Sequence, residues 1–180
     1  MITYRRVRPG EGPAVASVFG AARAEMTYLP SLHTPAEDVE FFSEIVAAGA
    51  GGSVAVGGSG CWVMVAEGAG GDLVGFCVVR AGWVEQLYVR PGYQSQGIGG
   101  TLLSAAIAEH GGGEHCGDEH GGDEHGGGEL LLWVFEENTG AERFYRRAGF
   151  YEVERTDGSD NEERAPDIRM RREPDPPPAP

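Results

Sequence analysis

The sequence predicts an α/β protein with one core, in which helices pack against a mixed sheet. Its 180 residues fit a single domain with a sizeable core. Segments with a two-residue apolar period alternate along the chain with segments whose apolar residues recur every three or four positions. A short β-type run at residues 87–89 is followed by a Pro-Gly turn, a glycine-rich loop and a helical pattern.

The elements follow from local signals. Val15, Val18 and Ala22 fall at helical spacing after Pro13, and Thr34 to Glu37 reads as a capping box with proline at the first helical position. In chain order, the predicted elements are a strand at 2–8, a helix at 13–26, a helix from residue 35, strands at 62–66, 73–79 and 83–89, a helix at 97–109, a strand at 129–135, a helix at 139–148, and strands at 150–155 and 168–172.

Three segments have biased composition. Residues 49–60 are mostly Gly, Ala and Ser and predict a flexible connection within the domain. Residues 109–129 form a Gly/Glu/His insertion, and the proline-rich tail at 173–180 is expected to be disordered, which leaves a single domain at 1–172. Histidines recur every five residues in the insertion, but tandem glycines provide no fixed geometry for a metal. We therefore expect no metal site and a dispensable loop.

The charge balance excludes some partners. The chain has 28 acidic residues, 14 arginines and no lysine, so we expect no nucleic-acid partner. Residues 109–129 hold seven of the acids and no arginine, which weakens any inference of an acidic pocket from the net charge of −14. No apolar run is long enough for a membrane span or signal, and three irregularly spaced cysteines favour a reduced, cytoplasmic setting.

The glycine-rich loop predicts an anion site. Gly97, Gly99 and Gly100 allow the backbone to approach a ligand, and the first N–H groups of the following helix lack intrahelical partners. A dinucleotide fingerprint would need glycine where Leu102 stands, and a P-loop would need a lysine. What remains is Gln94-x-x-Gly97-x-Gly99 directly after a strand.

This motif resembles the coenzyme A signature of the GNAT superfamily of acyl-CoA N-acyltransferases. A second block, residues 132–150, resembles the same family and contains Asn138 and Tyr145. The resemblance implies a central, mostly antiparallel mixed sheet whose fourth and fifth strands run parallel but splay apart to admit the cofactor. It also implies that Asn138 lies near the pantetheine and thiol end of the cofactor, and that Tyr145 is the general acid. The residues that it assigns to cofactor binding are Leu87, Tyr88, Val89, Gln94, Ser95, Gln96, Gly97, Ile98, Gly99, Gly100, Thr101 and Asn138.

The proton transfers of such a reaction have two candidate groups. Tyr145 has an ordinary pKa of about 10, close to that of a thiol, so it could protonate a departing thiolate; the alternative is a tyrosine that only packs its ring. Glu85 lies two residues before Leu87, is expected on the same face, and could accept the amine proton, although ordered water could do the same. Acyl transfer through Cys61 or Cys77 is a further variant.

The sequence therefore favours an N-acetyltransferase that uses acetyl-CoA as acyl donor and a small-molecule or peptide amine as acceptor, by direct attack in a ternary complex. One alternative is a coenzyme A-binding regulatory module without useful turnover, and another is metal buffering through the histidine repeat. The acceptor region is expected around residues 27–34 and 156–167, where no motif is present. The sequence leaves both a monomer and a homodimer open.

Overall fold

A computed structural model describes residues 1–50, 61–110 and 129–174. Within these ranges, one seven-stranded sheet has the order β1-β2-β3-β4-β5-β7-β6. The types and order of the elements agree with those predicted. The elements are β1 (Thr3–Arg6), α1 (Gly12–Arg23), α2 (Pro35–Ala50), β2 (Cys61–Glu67), β3 (Leu73–Arg80), β4 (Trp83–Val89), α3 (Ile98–His110), β5 (Leu130–Phe135), α4 (Thr139–Arg147), β6 (Tyr151–Thr156) and β7 (Asp167–Arg172).

The sheet separates two cores, and β3 serves both. Phe76 and Val78 pack with α1 and α2 on one face, while Cys77 and Val79 pack with α3 and α4 on the other. Successive residues of a strand point to opposite faces, so a strand covered on both sides must be apolar throughout. The continuous apolar run of β3 is therefore explained by helices on both faces.

Local signals fix the helix ends. The Glu37 carboxylate accepts a hydrogen bond from the Thr34 N–H at 2.7 Å, and the Thr34 hydroxyl accepts one from the Glu37 N–H, which confirms the capping box. Gly149 closes α4 with a φ of +89°. Gly49 and Ala50 belong to α2, so the glycine-rich connection expected from residue 49 starts later than predicted, and its remainder lies outside the described residues.

The parallel strands β4 and β5 diverge. Their register in the described structure consists of the pair Trp83 and Leu131, and the Leu131 N–H donates to the Gly82 carbonyl at 2.9 Å. Beyond this point the strands separate toward their carboxyl ends. This confirms the splayed parallel pair that the family resemblance implied.

A β-bulge interrupts β4 beside this gap. Val84 pairs with Val79 and Gln86 pairs with Val78, so Glu85 has no partner on β3. Val84 and Leu87 are three residues apart, yet both pack on the α3 and α4 face. Glu85 instead lies 3.6 Å from Arg80, which pairs with Cys61 on the α1 and α2 face, so the expectation that Glu85 shares the face of Leu87 is wrong, because it assumed an unbroken alternation.

Two predicted segments lie mainly outside the described residues. These are the histidine repeat beyond His110 and the tail beyond Pro174. Glu173, at the start of that tail, accepts a hydrogen bond from the Tyr151 hydroxyl at 2.9 Å. In the part of the chain that the structure covers, no helix is long and apolar enough to cross a membrane.

Candidate active site

The loop between β4 and α3 presents a row of backbone donors. The Thr101 N–H makes the first helical bond, to the Gly97 carbonyl at 3.0 Å. Among the described residues, the N–H groups of residues 94–100 have no acceptor. Ser95 and Gly97 have φ values of +60° and +81°. These donors lie at the positive end of α3, an arrangement suited to phosphate oxygens.

The polar side chains of this loop fix its shape. The side-chain amides of Gln94 and Gln96 donate to the carbonyls of Val89 and Gly92, at 3.2 and 2.9 Å. The Thr101 hydroxyl donates to the Gly97 carbonyl at 3.2 Å. In this structure, these side chains therefore support the loop from within, while the backbone N–H groups remain available to a ligand.

The three glycines around the start of α3, Gly97, Gly99 and Gly100, differ in why a larger residue would or would not fit. Gly97 has a positive φ, which a residue with a Cβ adopts only under strain. A Cβ on Gly99 would lie 3.6 Å from the ring of Phe144, an ordinary contact, and one on Gly100 would meet nothing within 4 Å. Backbone conformation thus demands glycine at position 97, whereas the protein's own packing leaves open space at position 100.

The edge of β4 that faces the gap carries peptide groups that pair with no strand in the described structure, although the Val89 carbonyl accepts the Gln94 side-chain amide. The Arg90 N–H donates to the Val74 carbonyl on β3 at 2.8 Å. Backbone groups alternate in direction along a strand, so those of Tyr88 also face β3 and those of Leu87 and Val89 face the gap. The Tyr88 ring instead packs edge-on against Phe19, and burial raises its pKa to about 12.

Tyr145 lies on α4 and is only 8% exposed. Its ring packs against Phe144 and Phe150, with ring centroids 5.1 and 5.7 Å apart. No group among the described residues hydrogen bonds to its hydroxyl. Burial, and to a lesser degree the neighbouring Cys77 and Tyr88, raise the pKa of Tyr145 far above its usual 10. The phenol therefore stays protonated throughout the physiological range.

Asn138 connects β5 to α4. Its side-chain oxygen accepts a hydrogen bond from the Ala141 N–H at 3.1 Å and caps the helix. Its own N–H donates to the carbonyl of Phe135, the last residue of β5. Because β4 and β5 are parallel, the start of α4 lies at the same end of the sheet as the loop that opens α3.

Glu85 lies in the bulge of β4 at an exposed position, with its carboxylate partly desolvated. Its carboxylate lies 3.6 Å from the Arg80 guanidinium. Burial raises the pKa of Glu85, and Arg80 opposes that shift. Cys61 and Cys77, the two of the three cysteines that the structure describes, are poor nucleophiles here, since burial raises the pKa of Cys77 to about 12 and also raises that of Cys61.

The two segments expected to shape the acceptor region are joined by one ion pair, His33–Glu162, and a second pair ties residues 156–167 to the end of α1; sequence reasoning missed both. Arg23 at the end of α1 lies 3.2 Å from Glu163, and His33 lies 3.1 Å from Glu162. The hydrogen bond with Glu162 raises the pKa of His33. The sequence offered one signal, opposite charges in two segments without motifs, but nothing in it specified the pairing.

Together these features surround a gap that suits an extended, phosphate-bearing ligand. Backbone donors lie at one end, peptide groups without a strand partner lie along the edge, and α4 adjoins the donor loop, since a Cβ on Gly99 would lie 3.6 Å from the Phe144 ring. No group of three or more potential metal ligands is present in the described ranges.

Comparisons with known proteins agree with this geometry. Residues 57–152 match the model of the acetyltransferase (GNAT) domain family. No curated protein matches the chain.

Solved structures match over nearly the whole chain. The ribosomal-protein-S18-alanine N-acetyltransferase of Escherichia coli is 18% identical, with a TM-score of 0.67 and coverage of 98% of this chain and 96% of that one. The PaiA N-acetyltransferase of Thermoplasma acidophilum, in complex with coenzyme A, is 18% identical, with a TM-score of 0.64 and coverage of 96% and 99%. Arabidopsis thaliana NAA60, in complex with a bisubstrate analogue, is 18% identical, with a TM-score of 0.65 and coverage of 95% and 97%. At these identities the structures establish a shared fold, and the family match extends over more than half of the chain. The chain therefore belongs to the GNAT acetyltransferase family.

Proposed function

We propose that this protein transfers an acetyl group from acetyl-CoA to a primary amine, by direct attack within a ternary complex. The observation that carries the proposal is that the free N–H groups of residues 94–100 and the buried phenol of Tyr145 come from adjoining elements, since a Cβ on Gly99 would lie 3.6 Å from the ring of Phe144, the neighbour of Tyr145 on α4. The first feature suits a pyrophosphate and the second a leaving group that needs a proton. Residues 1–172 form the catalytic domain in this proposal.

The residues of the chain divide the binding work. The N–H groups of residues 94–100 hold the phosphates of the donor, and the peptide groups of Leu87 and Val89 pair with its pantetheine amides, as an added strand would. Asn138 holds the start of α4 near the thiol end of the donor. Acetyl-CoA supplies the activated acyl group, and the protein supplies position and proton transfer.

Tyr145 donates a proton to the departing sulfur. Its raised pKa does not oppose this role, because the same burial that disfavours a phenolate also disfavours a thiolate. Glu85 accepts the amine proton, directly or through ordered water, and its raised pKa makes it a stronger base than an ordinary carboxylate.

The acceptor is an amine of a small molecule or a peptide. The S18-alanine N-acetyltransferase, whose name specifies a protein substrate, has the same fold. Fold alone does not identify an acceptor, since related sites on one fold serve different substrates.

A thiol-release assay with acetyl-CoA and a panel of small amines and peptides tests the proposal. We expect amine-dependent release of coenzyme A and a product heavier by one acetyl group. Tight acetyl-CoA binding without thiol release across the panel would instead favour a coenzyme A-binding regulatory module.

A further inference from the structure

A cavity of about 440 Å³ lies on the sheet face opposite α3 and α4. Trp133 and Phe135 of β5 form its floor, since they alternate with Leu132 and Val134, which face the other core. The loop between β6 and β7 folds over this face. The volume is in the range of small-molecule sites.

The lining of the cavity is acidic. Glu154, Asp160, Glu163 and Asp167 contribute to it, and none of its described lining residues is basic. Arg169 pairs with Glu154 at 3.1 Å and Arg23 pairs with Glu163 at 3.2 Å. Two of the four carboxylates are therefore paired with arginines, and one of these, Arg169, lies on the same sheet face as Trp133.

The other two carboxylates lack a cationic partner among the described residues. Asp167 is only 8% exposed and accepts hydrogen bonds from the Thr156 hydroxyl and the Asn161 side-chain amide, both of which are neutral. Asp160 has no ion pair or hydrogen bond within the described ranges. Asp160 is exposed and Asp167 is buried, so one accessible and one desolvated negative charge contribute to the lining, and both favour a cation over a neutral or anionic group.

An aromatic surface accompanies these charges. Trp133 remains 42% exposed, although large aromatic side chains are commonly buried. The guanidinium of Arg169 lies 5.9 Å from the centroid of the Trp133 ring, so this indole already accepts a cation on one side. An apolar wall beside carboxylates suits an alkyl chain that ends in an ammonium group.

The cavity adjoins the proposed reaction site. Phe135 ends β5, and its carbonyl accepts the N–H of Asn138, the cap of α4. Through Glu163 and Arg23 the cavity is also tied to the segment after α1. It thus lies at the carboxyl end of β5, on the face opposite that of Tyr145, where an acceptor could approach the gap from the side away from the phenol.

We propose that this cavity binds a distal ammonium group of the acceptor, so that the substrate is a diamine or polyamine acetylated at its other end. This inference rests on the proposed function. One amine enters the gap unprotonated and reacts, while the second remains protonated and is held over Trp133 by Asp160 and Asp167.

Three acceptors of matched length test the inference: 1,5-diaminopentane, pentylamine and 5-aminopentanoate. We expect kcat/KM to be at least about tenfold higher for the diamine than for pentylamine, and lowest for the amino acid. Asp160→Asn should lower kcat/KM for the diamine roughly 3- to 10-fold and narrow its advantage. Glu44→Gln, which removes one charge from an exposed position on α2, should retain the diamine advantage. Equal rates with the diamine and pentylamine would overturn the inference while leaving acetyl transfer established.

Calorimetric titration of the full-length protein with diaminopentane and pentylamine separates the two proposals. If none of the three amines releases thiol, acetyl transfer to such amines fails, and binding alone decides the role of the cavity. Tighter binding of the diamine, weakened by Asp160→Asn, supports the cation site. Equal or undetectable binding of both amines overturns it.

Discussion

Trp83 on β4 lies directly opposite Leu131 on β5, and in the described structure this pair alone joins the two strands in register. Two residues further along β4, Glu85 forms a bulge and has no partner on β3. No later residue of β4 pairs with β5 in the described structure, so the rest of this edge of β4 is open. The gap in which we place the acyl donor is thus a consequence of where strand pairing stops.

The role of Tyr145 predicts a specific kinetic defect. Tyr145→Phe retains the ring that packs between Phe144 and Phe150 but removes the hydroxyl. We expect kcat to fall by about tenfold or more, with little change in the Kd for acetyl-CoA, because the proton is needed only as the thiolate departs. Steady-state kinetics and calorimetry measure the two quantities. Tyr151→Phe, at an exposed position on β6, is the control, and an unchanged kcat in Tyr145→Phe would refute the assignment.

The loop before α3 predicts that two glycine substitutions of equal cost in stability differ in their effect on coenzyme A binding. Gly97→Ala and Gly10→Ala both place a Cβ at a positive φ where nothing lies within 4 Å. Each should lower the free energy of unfolding by about 1 kcal/mol. Only Gly97→Ala should also raise the Kd for coenzyme A, by about tenfold or more, because relief of its strain redirects the N–H row. Similar Kd values for both variants would contradict an anion site at this loop.

Much of the fold was predictable from the sequence because its signals are local. The capping box at Thr34 and Glu37, and the glycine that ends α4, each act within a few residues. The bulge at Glu85 was not predictable, because it depends on which residues of β3 lie opposite. The face assigned to Glu85 was consequently wrong.

The cavity that we propose for the acceptor was even less predictable from the sequence. Asp160 and Asp167 meet Trp133 only after the β6–β7 loop folds over the sheet. Net charge could not reveal this cavity, because seven of the acids belong to residues 109–129. An acidic pocket is a property of three-dimensional proximity, and the sequence lacks any motif for it.

The buried thiol of Cys77 and the buried phenols of Tyr88 and Tyr145 predict that the free energy of unfolding declines at alkaline pH. Burial raises the pKa of Cys77 from 9.0 to about 12 and that of Tyr88 from 10.0 to about 12, and it raises that of Tyr145 further. The unfolded chain releases these protons first, so stability is retained below pH 9 and lost as the pH rises beyond it. Above pH 10, Tyr145→Phe should reduce the decline by up to about 1.4 kcal/mol per pH unit. Urea unfolding at pH 8, 10 and 11 measures the free energy of unfolding of both proteins. If it falls with pH as steeply in Tyr145→Phe as in the wild type, the burial assigned to the Tyr145 hydroxyl is contradicted.

The ion pair between His33 and Glu162 predicts a weaker pH effect near neutrality. Its pKa is raised above 6.5 by Glu162, so the pair is complete below that pH and is lost as the pH rises through the folded value. We expect the backbone amides of residues 31–34 to exchange hydrogen faster, after correction for intrinsic rates, as the ion pair is lost. His33→Gln should abolish this step without changing exchange in β3. If amide exchange in His33→Gln changes with pH as much as in the wild type, the His33–Glu162 pair is excluded as the cause.

The fall of kcat/KM at low pH, which is the acid limb of the pH profile, tests the role of Glu85 as the base. Burial raises the pKa of Glu85 while Arg80, 3.6 Å away, lowers it, so Arg80→Gln should shift the acid limb of kcat/KM to higher pH. Glu85→Gln should lower kcat/KM by about tenfold or more and remove this limb. The two variants act on one ionisation from opposite directions: the first retains the base and moves its pKa, and the second removes the base. If ordered water alone accepts the amine proton, both variants retain the wild-type profile, and Glu85 then serves only to balance the charge of Arg80.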